Sequence, residues 1–315
     1  MAQSDAAGIE AAARPAFEDR IRAVSRGAGQ ALFWMALAAA ILFFLFPIFR
    51  MLETSFKTVN EANSPTPALI GFRPTLANYH NVFFLTTENV AGSGGTTTIT
   101  TGFLRYFVNS ILIGSISTLV ALVLGMLAAY GFSRFRVAAK NDLLFFILSQ
   151  RMLPPVAVLI PIFLMYRVVH LVDTYAGMIL LYTTFILPFA VWMIKGFVDE
   201  IPHEYEDAAM VDGYTRFQAF YKVIVPQSFS ALAATAVFSL ITVWNEFIFA
   251  LVLTEPGGAR TAPPSIAAAA GGGQGNIDWG LVAAASMVFV LPVVIFTFMV
   301  RNHLLRGVTF GAVRR

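Results

Sequence analysis

The sequence predicts an all-α membrane protein with six spanning helices, on three observations. Of its 315 residues, 57% are hydrophobic and only 12% are charged, against about 25% charged in soluble domains. Six stretches approach or exceed the roughly 20 apolar residues that cross a bilayer. Lysine and arginine cluster on alternate connecting segments, as expected where positive charge fixes orientation.

The elements follow in chain order. Residues 1–29 are polar, alanine-rich and mixed in charge, without the apolar core and small-residue cleavage site of a signal peptide. They read as an unstructured cytoplasmic tail, with a short amphipathic helix over Phe17–Val24 as the alternative. Residues 30–315 form the transmembrane domain. Its predicted spans are Ala31–Leu52, Tyr106–Phe132, Leu143–Tyr166, Thr174–Ile194, Ser228–Leu253 and Trp279–Val300. The long segment from Glu53 to Arg105 contains "NSPTPALIGFRPT" and "AGSGGTTTITTG", whose breakers favour turns and loop over helix. The segment "TEPGGARTAPPSIAAAAGGGQGNID" is also breaker-rich, with "SIAAAA" as a possible interfacial turn of helix.

With the N-terminus inside, the inner segments hold 14 lysines and arginines and the outer ones six; Arg151 lies within a span. This bias predicts both termini in the cytoplasm. The segment between spans four and five then faces the cytoplasm, and the two long glycine-rich segments face out. No internal repeat supports an inverted-repeat transporter plan.

The cytoplasmic segment "HEYEDAAMVDG" predicts a short helix over about 203–213. Its acidic residues suit a helix N-terminus. Ala208 and Ala209 leave a low surface that another protein could approach, and Gly213 can end the helix in the left-handed conformation. The following "YTRFQAFYKVIVP" restarts a helix with aromatic and basic residues at the membrane boundary, and Pro226 opens span five.

Asp207-Ala208-Ala209, Gly213 and Val223-x-Val225-Pro226 resemble the EAA loop of bacterial ABC importer permeases, with Asp for Glu and Val for both Ile and Leu. "RMLPPVAVLIP", "WNEFIFALVLT", "IDWGLVAAAS" and "GVTFGAV" resemble the MalG-type permeases of carbohydrate importers, so that the likeness spans roughly residues 30–313. The resemblance implies a type I ABC importer permease fold in the bacterial inner membrane, paired with a MalF-type permease. It also implies two ATPase subunits, which carry the ATP and Mg, and an extracytoplasmic binding protein. In that family the cytoplasmic helix docks into a cleft on the ATPase, here through Glu206, Asp207, Ala208, Ala209, Asp212 and Gly213. The loop Gly271, Gly272, Gly273, Gln274 and Gly275 would correspond to the one that reaches the binding protein's cleft. The implied cargo is a sugar, polyol or related glycoside.

Within the spans, Arg151 lies about nine residues into span three, roughly 14 Å deep, where a charge costs from about 2.5 to over 10 kcal/mol. Pro154 and Pro155 free the carbonyls of Gln150 and Arg151. The pair reads either as a cavity wall and hinge or as a structural cation with a partner. Trp244, Asn245 and Glu246 combine an apolar ring with hydrogen-bonding groups, as a sugar site would; the alternative is interhelical packing. The four histidines show no metal-ligand spacing, no nucleophile–base pair stands out, and the chain has no phosphate-binding G-x-x-x-x-G-K-[ST] loop. The expectation is a permease without catalytic site, metal or bound cofactor, with lipid around it and no nucleic-acid partner. A self-contained secondary transporter is the competing reading, and Glu246 is the one intramembrane acid suited to ion coupling.

Overall fold

The computed structural model describes residues 2–66, 69, 71–84, 88–92, 95–99, 102–271 and 277–310, with side chains placed at 29–66, 69, 71–84, 102–269 and 277–299. The chain divides into two compact units, Met1–Glu53 and Thr54–Arg315. The first unit is a single helix, α1, which runs over Ala2–Ser55. The expected unstructured tail is therefore helical. Alanine has the highest helix propensity, and the segment's alanine content was the signal, not an amphipathic stripe. The apolar part of α1, Gly29–Ser55, is long enough to span a membrane.

The second unit opens with two short helices, α2 (Val59–Ala62) and α3 (Ala77–Phe84), and an antiparallel hairpin of β1 (Glu88–Gly92) and β2 (Gly95–Ile99). The segment expected as plain loop thus carries regular structure. Asn78 of α3 is buried and donates to the carbonyls of Ser55 (2.9 Å) and Lys57 (2.8 Å).

Helices α4 (Phe103–Arg134) and α7 (Tyr175–Glu200) form the spine of the bundle. Their N-terminal ends meet through Tyr175 and Asn109, and their C-terminal ends through Ser133 and Asp199, so they run in the same direction. The seam is built from small residues. Ser117, Ala121, Gly125 and Ala129 recur every four positions on the buried face of α4. A methyl group added at Gly125 would lie 3.0 Å from the Ala190 Cβ. Close backbone approach of this kind is how helices gain packing in lipid, where burial from water contributes nothing.

Between these two helices the chain crosses back as α5 (Lys140–Ser149), a 3₁₀ turn (Gln150–Met152) and α6 (Pro155–Val168). The expected single span is a pair bent by 95°. Pro154 and Pro155 cannot donate backbone hydrogen bonds, so the helix stops before them and restarts with Pro155 at its first position.

After α7 come α8 (Glu204–Val211), α9 (Arg216–Ala219), a π-turn (Phe220–Ile224) and α10 (Val225–Gln227). Helices α11 (Phe229–Trp244) and α12 (Ile248–Leu253) follow. The expected span Ser228–Leu253 is broken at Asn245–Phe247, and the segment Arg216–Gln227 meets α11 at 69°. Finally α13 (Ala262–Gly271) is ten residues long, more than the turn expected there, and α14 (Trp279–Phe310) is the last long helix. Among the described residues four helices are long and apolar enough to span a membrane, and six if each bent pair is one span.

At the end away from α8, the segment between α12 and α13 is tightly held. Asp173 accepts from the backbone N–H groups of Glu255 (3.1 Å) and Ala259 (2.9 Å). Asn109 donates to the carbonyls of Gly258 (3.0 Å) and Arg260 (2.8 Å).

Candidate functional site

Helix α8 is short, with Glu204, Glu206 and Asp207 in its first turn, where the unpaired N–H groups favour negative charge. Its end is set by Gly213, whose φ of +88° is left-handed. The N–H of Tyr214 then reaches the Ala209 carbonyl (3.1 Å), and that of Gly213 reaches Met210 (3.1 Å). This double bond pattern closes a helix at a left-handed residue, as the sequence suggested.

The helix has two faces. Asp207, Ala208, Val211 and Asp212 are exposed, with Val211 at 87%. Tyr205, Tyr214, Phe217 and Tyr221 are exposed nearby. Exposed apolar and aromatic groups collected around a polar helix suit contact with another protein.

Glu206 and Ala209 turn inward. Glu206 was grouped with the docking residues, yet its carboxylate is buried against the bundle. It forms an ion pair with the Arg134 Nε and accepts from the Tyr130 hydroxyl (3.0 Å). Arg134 also donates to the Ile201 carbonyl at the end of α7 (2.8 Å). Sequence reasoning missed Tyr130 and Arg134. They lie more than seventy residues from Glu206, and only the packing of α4 beside α7 brings them to α8.

At the break in span three, Gln150 is exposed and borders a cleft of about 340 Å³, whose wall includes Leu153, Pro161, Leu181, Phe185, Pro188 and Phe249. Arg151 is half-buried. Its guanidinium lies 5.5 Å from the Phe185 ring centre and 5.7 Å from that of Phe189. Its Nη1 is shielded and has no hydrogen-bond partner among the described residues. Two ring faces hold this cation where an acid would be expected.

Trp244 and Glu246 do not present their functional groups to a path. Trp244 is buried, stacks on Phe289 (5.0 Å between centres) and donates its indole N–H to the Phe289 carbonyl (3.1 Å). Glu246 accepts from the Tyr182 hydroxyl (2.8 Å) and from the N–H groups of Phe249 (2.9 Å) and Ala250 (3.1 Å), which caps α12. The polar atoms of both are thus bonded to neighbouring helices. With its oxygens committed in this way, Glu246 is poorly suited to ion coupling. Asn245 is exposed and bonds the Ile241 carbonyl (2.8 Å). Of the glycine-rich loop, Gly271 ends α13, while Gly272, Gly273, Gln274 and Gly275 lie outside the described residues. Among the described residues no group of three or more histidines and carboxylates is placed to hold a metal.

These features define a helical protein with helices long and apolar enough to cross a membrane and a short, partly exposed helix at one end. The chain belongs to the family described as binding-protein-dependent transport system inner membrane component, which matches residues 121–308, and is thus the permease subunit of an ABC importer. It is 34% identical to the trehalose transport system permease protein SugB of Mycobacterium tuberculosis, over 91% of this chain and 99% of that one. It is 32% identical to the trehalose/maltose transport system permease protein MalG of Thermococcus litoralis, over 86% and 91%. A chain from the crystal structure of a bacterial ABC transporter that imports the acidic polysaccharide alginate superposes with a TM-score of 0.66 at 20% identity, over 91% of this chain and 98% of that chain. That likeness bears on the fold.

Proposed function

We propose that this permease imports a sugar, polyol or related glycoside as one half of a heterodimer with a MalF-type permease. An extracytoplasmic binding protein delivers the cargo, and two ABC ATPase subunits that bind ATP and Mg supply the energy. The names of the relatives support the cargo class: trehalose, maltose, diacetylchitobiose and sulfoquinovosyl glycerol. The observation that carries the mechanism is α8, a capped helix with Asp207, Ala208 and Asp212 outward and Glu206 inward. The charge bias assigns α8 and both termini to the cytoplasm, where ATPase subunits act. Their closure would press on the exposed face of α8, and the breaks in spans three and five give the bundle places to bend. Gln150, Arg151 and Asn245 remain as candidate wall residues of the path. The loop 271–275 is assigned to contact with the binding protein.

The test is reconstitution. Proteoliposomes containing both permeases and the ATPase should take up a radiolabelled disaccharide, polyol or glycoside only with ATP inside and binding protein outside. Uptake by this chain alone, or uptake driven by an ion gradient, would point to the secondary-transporter reading instead.

A further inference from the structure

We infer that the Arg134–Glu206 pair is a positioning element that carries motion of α8 into α4, so that the helix works on the α4–α7 spine directly. This rests on the reading of α8 as the ATPase-docking helix.

The covalent links of α8 do not explain how a push on it reaches α4. Residues 201–203 join it to α7, and residues 212–215 join it to the segment leading to span five. Both links are short turns, about which an eight-residue helix could pivot. What fixes it is the side-chain tie. Both carboxylate oxygens of Glu206 are engaged, one by Arg134 and one by Tyr130. The Arg134 fork also holds the Ile201 carbonyl, so one planar group joins α4, α8 and the end of α7. The side chains of Arg134 and Glu206 are 2% and 7% exposed, so salt screens the pair little.

Two further contacts extend the tie. Tyr130 packs on Phe220 of the π-turn, with ring centres 4.6 Å apart, which links the same group to the approach to span five. Ser133 donates to Asp199 (2.6 Å), and Lys195 pairs with Asp199, so α4 and α7 are joined at the same level. With the small-residue seam above, α4 and α7 have little room to slide. A displacement of α8 therefore enters a stiff two-helix body through Glu206. The bent spans, each interrupted by a break in its helix, take up the difference.

The experiment uses the complete reconstituted importer. Glu206→Gln keeps the side-chain shape and removes the ion pair; Tyr130→Phe removes one hydrogen bond and perturbs folding least. The substrate imported per ATP hydrolysed should fall roughly two- to thirtyfold, the range of energetic coupling that single residues carry. Glu206→Gln should fall further, with the ATPase still co-purifying. Spin labels at Glu204→Cys and Arg136→Cys should keep one separation across nucleotide states when the pair is intact and a variable one in Glu206→Gln. The inference is overturned by an unchanged import ratio in both variants, by a label distance that already changes with the pair intact, or by loss of the ATPase from the Glu206→Gln complex. In that last case the pair only holds α8 in shape. The docking reading has its own arm: Asp207→Lys should release the ATPase, and retention there would sink docking without altering the import ratio of the other variants.

Discussion

Replacing Arg151 with methionine separates a transport role from a structural one. Methionine keeps an unbranched side chain against Phe185 and Phe189 and removes the charge. Two cation–π contacts are lost, about 0.5–2 kcal/mol each and so roughly 1–4 together. Against this, an ion taken out of water carries a penalty of several kcal/mol even after relaxation, and here the group is half-buried. The shielded Nη1, which has no acceptor among the described residues, adds about 1–3 kcal/mol. Sulfur–aromatic contact returns about 0.3–1.5 kcal/mol. The terms that methionine relieves outweigh the contacts it loses, so Arg151→Met should leave the assembled complex at least as resistant to thermal unfolding as the native one. ATP-dependent uptake should fall sharply. Arg151→Cys offers a second reading, because the chain has no other cysteine: a membrane-impermeant thiol reagent should label it at a rate that changes with nucleotide. Loss of assembly equivalent to about 3–5 kcal/mol, the cost of breaking a buried pair, would show that Arg151 is a structural partner. Normal uptake with no labelling in any state would remove it from the path altogether.

Three further outcomes are expected. Gly213→Asp places a charged side chain at a φ of +88°, which glycine adopts freely, and should reduce ATPase co-purification and binding-protein-stimulated hydrolysis while the protein stays in the membrane. Gly125→Leu drives a large group into the 3.0 Å gap to Ala190; overpacking of this kind costs about 1–3 kcal/mol, and thermal unfolding in detergent should show it. Shortening Gly271–Gly275 should impair uptake and spare basal ATP hydrolysis, measured on the same preparation.

The spans were legible because length and hydropathy are local properties. The stop at Pro154–Pro155 was legible too, since a missing N–H is written in the residue itself. The angle was not: how far the chain turns depends on what α6 packs against, here Leu181, Phe185 and Phe249 across the cleft. The end of α8 was readable from Gly213, but the direction of Glu206 was not. A carboxylate in the first turn of a helix looks alike whether it faces a partner or an arginine from another helix. Trp244 and Glu246 show the same limit. Their composition suits a sugar site, yet a carbonyl on α14 and the first turn of α12 claimed their polar atoms. Nothing in the neighbouring residues signals either claim.

The bend in span three has a consequence for how the protein is made. At 1.5 Å per residue its two helices, of 10 and 14 residues, reach about 15 and 21 Å, short of the roughly 30 Å hydrocarbon layer. Neither can insert alone, so the pair must enter the bilayer together with Arg151 between them. A central arginine weighs about 2.5–3.5 kcal/mol against insertion, offset by roughly four to twelve apolar residues at about 0.3–0.6 each. The rings that later cover it, Phe185 and Phe189, are translated 34 and 38 residues afterwards, roughly two to eight seconds at 5–20 residues per second. For that interval span three enters with its charge uncovered, and its place in the membrane becomes secure only when span four arrives beside it.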